Sequence, residues 1–232
     1  MEVRYDMLVN GKLTRGSRTL DVVDPATAEV FAACACASRE EIEDAVTASA
    51  AAFPTWSATS LDERRAVLIK MAEAIETNLE SIARTLTSEQ GKPIGDAQGE
   101  VGGAAYFLRY YAGLEIPVEM IEDSEARRIE LHRRPLGVVA AIVPWNFPVL
   151  TAVNKVGAAL ITGNTVVVKP AATTPLATLQ VAALWRDIVP AGVANIVTDK
   201  NDLGDVLTSH PLVRKVSFTG STTTGMKVMA SG

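Results

Sequence analysis

Between Leu136 and Ala171 the chain reads LGVVAAIVPWNFPVLTAVNKVGAALITGNTVVVKPA, and no other stretch restricts the possible folds as strongly. Leu136 to Val143 is apolar, β-branched and free of charge. It is too short for a membrane span and suits a central parallel strand buried on both faces. Pro144 and Pro148 bracket Trp145-Asn146-Phe147, and each proline keeps its predecessor out of the helical region. The strand must therefore end in an extended elbow that displays Asn146 at its carboxyl end. Val149 to Ile161 is apolar nearly all round and stops at Gly163-Asn164, a helix terminator, before a second strand over Thr165 to Val168. The unit is β-α-β.

The sequence continues the same alternation. Thr174-Pro175 reads as an N-cap and first helical residue for a helix over Leu176 to Val189, which Pro190-Ala191-Gly192 ends. A third strand follows at Ala194 to Val197, a short helix over Leu203 to Leu207, and a fourth strand over Val213 to Phe218. That strand runs into Gly220-Ser221-Thr222, with Gly225 one turn on. The fold class is α/β, a doubly wound, mostly parallel, Rossmann-like sheet. In such sheets ligands lie beyond the carboxyl ends of the strands, so Asn146 and Lys169 face one crevice. A glycine turn feeding a helix with free N–H groups is a ready site for a pyrophosphate. By itself it is a weak signal, since helices often start that way for capping alone. The chain has no G-x-G-x-x-G and no G-x-x-x-x-G-K-[ST].

Upstream, Met7 to Val9, Leu20 to Val23 and Glu29 to Cys36 read as short strands separated by turns at Asn10-Gly11 and Asp24-Pro25, either a sheet edge or an N-terminal flap. Cys34 and Cys36 alternate with alanines, and packing is the favoured reading of both thiols, with no base nearby to lower their pKa. Ser38 with Glu41 and Ser60 with Glu63 form capping boxes. The first opens a helix reaching Pro54. The second opens one long helix with a stripe from Val67 through Leu68, Met71, Ile75, Leu79 and Ile82 to Leu86. Glu89-Gln90-Gly91-Lys92-Pro93 breaks it, and another helix from Ile94 carries Tyr106, Phe107, Tyr110 and Tyr111, most of which are expected in the core. Residues 117–135 shift to a charged, hairpin-like excursion.

Composition excludes several classes. At 48% hydrophobic and 21% charged residues, the 232-residue chain is ordinary for a globular protein. A net charge of -5 without a basic run argues against a nucleic-acid partner, and the N-terminus has neither a signal pattern nor a membrane span, so a cytoplasmic protein is expected. Two cysteines make no disulfide framework, and His132 and His210 stand far from ligand spacing; no metal site is expected.

PWNFP, then GNTVVVKPA after a helix, then FTGST, in this order, resemble the aldehyde dehydrogenase superfamily, and EQGKP (Glu89 to Pro93) and RYYAG (Arg109 to Gly113) match it too. The resemblance covers essentially the whole chain. It implies NAD or NADP as cofactor and a small-molecule aldehyde as substrate. It assigns Asn146 as the oxyanion-hole amide, Phe147 as a flank of the substrate, and the helix from Ile94 as a border of the aldehyde entrance. Lys169 corresponds to a lysine on the adenosine ribose and Ser221, beside Gly220, to a pyrophosphate contact. Ile142, Val143, Pro144 and Trp145 would line the cofactor cleft, and Gly204 is the one match to the family's glycine-rich turn after the third strand. Residues 117–135 would be an arm that pairs with another subunit in a homo-oligomer.

Two departures concern the cofactor. Ala172 stands where NAD-preferring members often carry a glutamate for the ribose 2'-hydroxyl, which opens the site to NADP. Thr198-Asp199-Lys200-Asn201 replaces the glycine-rich turn. A third concerns extent: the family's glutamate base and cysteine nucleophile follow FTGST, and neither lies within these residues. The expected organisation is N-terminal flap strands and helices (1–116), an arm (117–135), and a Rossmann-like core (136–232) incomplete at its C-terminal end, with the catalytic domain absent. The chain alone is then expected to be inactive and prone to self-association. Alternatives are the nucleotide-binding module of a split enzyme and a non-catalytic interaction protein.

Overall fold

The structure, a computed structural model, describes residues 4–231. Met1 to Val3 and Gly232, which the sequence reading assigned to the flap and to the end of the core, lie outside the described residues. The chain opens with two hairpins, β1 (Met7–Val9) with β2 (Lys12–Thr14), and β3 (Arg18–Asp24) with β4 (Glu29–Cys36). Four helices follow: α1 (Arg39–Ser57), α2 (Leu61–Thr77), α3 (Leu79–Gln90) and α4 (Ile94–Ala112). An exposed antiparallel hairpin, β5 (Glu119–Asp123) and β6 (Arg128–Leu131), precedes the core. The core runs β7 (Val138–Ile142), α5 (Pro148–Ile161), β8 (Thr165–Lys169), α6 (Leu176–Trp185), β9 (Ala194–Ile196), α7 (Gly204–Thr208), β10 (Val213–Phe218) and α8 (Thr222–Ser231).

The main sheet has the order β10-β7-β8-β9-β1-β2, with β10, β7, β8 and β9 parallel and the β1–β2 hairpin added antiparallel to β9. The first hairpin is thus the sheet edge and the second stands apart as its own two-stranded sheet. All five residues of β7 and all five of β8 are buried: their apolar runs are covered on both faces, and Lys169 at the end of β8 is buried with its charge paired to Asp199. Helix α1 packs on one face of the sheet, and α5 and α6 on the other, backed by α2 to α4. Among the described residues no helix is long and apolar enough to cross a membrane.

Strand order decides where a ligand can sit. From β7 the chain winds outward through α5 to β8 and through α6 to β9, then returns by α7 to place β10 on the other side of β7. The winding reverses between β7 and β10, which stay paired as far as Ile142 and Phe218, and the segments that leave their carboxyl ends border a crevice.

Several expectations change. Helix α1 continues through Pro54 to Ser57, because a proline one turn from the end removes a single hydrogen bond while Trp56, only 3% exposed, anchors the last turn in the core. The expected long helix is two. Asn78 breaks it, donating from its side-chain amide to the Ala74 carbonyl at 2.8 Å, so the apolar stripe continues across a bend. The α4 aromatics are not core: Tyr106 and Tyr110 are exposed, and Phe107 and Tyr111 are partly so. Gly157 makes room for the Tyr111 ring, whose hydroxyl donates to Asn154 Oδ1 at 3.2 Å.

Gly192 ends the α6–β9 connection at φ +78, and a Cβ there would lie 2.6 Å from the Ala48 carbonyl oxygen of α1. Gly192→Ala should therefore destabilise the protein by about 1–3 kcal/mol through strain and overpacking. Urea unfolding measures this, and an unchanged midpoint would contradict the close approach of α1 to the sheet.

Candidate active site

The elbow predicted from PWNFP is present and exposed: β7 ends, Phe147 takes φ -135 and ψ 64, and Pro148 occupies the first position of α5. Three polar contacts hold it. Thr174 Oγ1 donates to the Trp145 carbonyl at 3.3 Å. Lys92 Nζ donates to the Asn146 carbonyl at 2.9 Å and stands 4.2 Å from the centroid of the Phe147 ring, a cation over an aromatic face. The same ammonium pairs with the buried Glu100 carboxylate. Glu100 Oε1 in turn accepts from the N–H groups of Val149 and Leu150 at 2.9 and 3.1 Å, capping the first turn of α5. The Asn146 side chain has no hydrogen-bond partner among the described residues, which leaves its amide available to donate.

Two cavities meet at this elbow, and Trp145 and Asn146 line both. The larger, of about 890 Å³, occupies the crevice between β7 and β10. Ile142, Val143 and Pro144 line it from β7, Lys169 from β8, Gly204 from α7, and Gly220 and Ser221 from the turn after β10. Every residue expected around a cofactor is thus brought to one cavity. The smaller, of about 570 Å³, contains Phe147 and is bordered by Gly95, Asp96, Gly99 and Glu100 from the start of α4. Helix α4 borders it through its first turns, and the aromatics near its other end do not line it.

The Gly-Ser-Thr turn combines two functions. Ser221 Oγ accepts from the Thr224 N–H at 3.2 Å and so caps α8, a ten-residue helix whose start faces the larger cavity. Gly220 lies against the Phe218 ring, which would have to move for any side chain there, since a Cβ would lie 2.5 Å from it. Unpaired N–H groups at that helix start, next to a residue without a side chain, fit an anionic group.

Lys169 is 5% exposed and forms a 2.5 Å ion pair with Asp199, which is fully buried; its ammonium also lies 3.2 Å from Asn201 Oδ1. Asp199 Oδ2 accepts from the Leu203 N–H at 2.9 Å, tying the loop to the start of α7. Asn201 supplies the turn with a left-handed φ of 59. The sequence marked this segment as a departure without revealing that its aspartate would meet the lysine.

Sequence reasoning missed three charged groups. Lys155 on α5 donates to the carbonyls of Ile142 and Ser217 at 3.0 and 2.7 Å, lacing together β7 and β10 at the crevice, and burial lowers its pKa to about 8. Glu100 is the second. Glu89 is the third: its carboxylate oxygens accept from Leu176 and Ala177 N–H at 2.6 and 2.9 Å. Helix α6 is therefore capped by Glu89, not by Thr174, and Pro175 holds the N-cap position. These partners lie far apart in sequence, where no local pattern points to them. The thiols are buried, and burial pushes Cys34 up to about 12 and Cys36 upward as well.

Burial also pushes the Glu89 carboxyl up to about 8 from 4.5, against the two N–H groups that favour its charge. Between those values the folded state keeps a proton that the unfolded chain has released. Its contribution is full below 4.5 and is lost as pH rises through about 8. Wild-type stability should fall across this window more steeply than that of Glu89→Gln; parallel curves from urea unfolding at each pH would contradict this.

The model of the aldehyde dehydrogenase family matches residues 13–232. The chain is 40% identical to the mitochondrial succinate-semialdehyde dehydrogenase of Arabidopsis thaliana, over 99% of this chain and 45% of that protein. It is 39% identical to the succinate-semialdehyde dehydrogenase [NADP(+)] GabD of Escherichia coli, over 97% of this chain and 48% of that one. Among solved structures, PnpE from Pseudomonas sp. WBC-3 in complex with nicotinamide adenine dinucleotide superposes with a TM-score of 0.93 at 36% identity, covering 99% of this chain and 48% of that one. The chain spans about half the length of the curated relatives it matches. It belongs to the aldehyde dehydrogenase family.

Proposed function

We propose that these residues are the dinucleotide-binding portion of an NAD(P)-dependent aldehyde dehydrogenase, which oxidises an aldehyde to a carboxylic acid. The observation that carries the reading is the convergence of Lys169, Gly204, Gly220 and Ser221 on one cavity at the reversal between β7 and β10. Its volume suits a dinucleotide's concave site. The start of α8 and Ser221 would hold the pyrophosphate, Lys169 the adenosine ribose, and Ile142 to Trp145 the wall toward the elbow. When bound, the nicotinamide supplies the hydride acceptor.

Asn146 would act at the junction of the two cavities. Its amide donates a hydrogen bond to the oxygen on which negative charge develops, without titrating itself. Lys92, through the Asn146 carbonyl and Glu100, keeps the elbow from moving. The smaller cavity beside Phe147 would receive the aldehyde, and two relatives named for succinate semialdehyde make that compound the first to supply. Neither thiol suits attack on a carbonyl, since both are buried and their pKa values are raised. This supports a binding portion that does not oxidise aldehydes alone. The β5–β6 hairpin, with Met120, Ile121, Ile129 and Leu131 exposed, would be the arm that pairs with a second subunit.

Calorimetry with NAD and NADP tests the reading. Saturable binding of at least one dinucleotide is expected, weakened about tenfold or more by Lys169→Ala and by Ser221→Ala, as loss of a charge-assisted contact implies. A folded sample that binds neither dinucleotide would overturn it.

A further inference from the structure

Resting on that reading, we infer that Asp199 is a specificity-determining residue that makes the cleft select a dinucleotide with a free ribose 2'-hydroxyl, NAD, over one with a 2'-phosphate, NADP. Ala172 taken alone points the other way, because it removes a carboxylate that would repel the phosphate. The folded chain restores a carboxylate by another route. Asp199 comes from the loop after β9 and reaches the lysine at the end of β8. The pair is closed from solvent, with side-chain exposures of 6% for Lys169 and 0% for Asp199.

The charge around that end of the cleft agrees. Asp202 and Asp205 line the cavity, and their cations, Arg18 and Arg39, come from β3 and from the start of α1. Lys169 is compensated by Asp199 at 2.5 Å, and Lys227 on α8 is the other lysine of the lining. A 2'-phosphate brought to Lys169 would meet a buried carboxylate whose cation is already shared, at a cost that water cannot screen. A ribose diol carries two O–H donors, and Asn201, on the cavity lining, has an amide oxygen to accept one; Asp199, fully buried with its oxygens on Lys169 and on the Leu203 N–H, does not touch the sugar. Asp199 acts by setting the sign of the field, and Lys169 keeps its contact with the neutral sugar.

The test is calorimetry of the 232-residue chain with NAD and NADP, in wild type and in Asp199→Asn, which keeps an oxygen for the Leu203 N–H. Wild type should bind NAD at least about tenfold tighter than NADP, the scale of one like-charge contact in a desolvated site. In Asp199→Asn that ratio should fall about tenfold or more while NAD affinity stays within about threefold. Equal or tighter binding of NADP by wild type would overturn the inference, as would an unchanged ratio in the variant. Should Asp199→Asn not fold, competition in the wild type decides. Displacement of NAD by 5'-AMP more readily than by 2',5'-ADP supports the inference, and the reverse order overturns it. Failure of both dinucleotides to bind would overturn the proposed function and this inference together, whereas binding without discrimination would overturn this inference alone.

Discussion

Two buried glutamates hold the cleft in place. Glu89 at the end of α3 caps α6, and Glu100 on α4 caps α5, each accepting two N–H groups from the first turn of a crossover helix. A helix start has unsatisfied donors and a positive dipole end, and burying it without a partner is costly. Here both starts are buried under the α2–α4 layer, so acceptor oxygens come from that layer. The starts of α5 and α6 follow directly from the ends of β7 and β8, where Asn146 and Lys169 stand. Docking of the N-terminal helices and shaping of the cleft are thus one event.

Lys92 joins the Glu100 cap to the elbow through the Asn146 carbonyl and the Phe147 ring. The linkage gives EQGKP a physical account: Glu89 caps one crossover helix, Gly91 turns the chain at φ +86, and Lys92 reaches the other helix start. A stretch that reads locally as a helix breaker is a junction of three elements. The elbow itself needs the support, since its three central residues are exposed.

The core was legible because its signals are local. Uncharged β-branched runs, prolines flanking Asn146 and the turns at Gly163 and Gly192 each restrict their own backbone, and together they mark the alternation of parallel strands and helices; the order of the strands in the sheet appears only in the fold. The residues of the cleft were legible through motif order, and all of them converge. The bend at Asn78 was not visible, because an unbroken apolar stripe suits one helix or two coaxial ones equally. The exposure of Tyr106 and Tyr110 ran against their composition. The Glu89 and Glu100 caps and the Lys169–Asp199 pair were hidden for one reason: their partners are 30 to 88 residues apart and meet only in the folded chain.

A dinucleotide in this fold would lie where the sheet reverses between β7 and β10. Hydrogen exchange of the backbone amides, with and without saturating NAD, tests that most directly. Protection is predicted at the turn from Phe218 to Gly225 and around Lys169 and the loop from Asp199 to Gly204, with the β5–β6 hairpin unaffected. Protection confined to the smaller cavity at the start of α4, or no protection near Gly220 and Ser221 while NAD is bound, would contradict it.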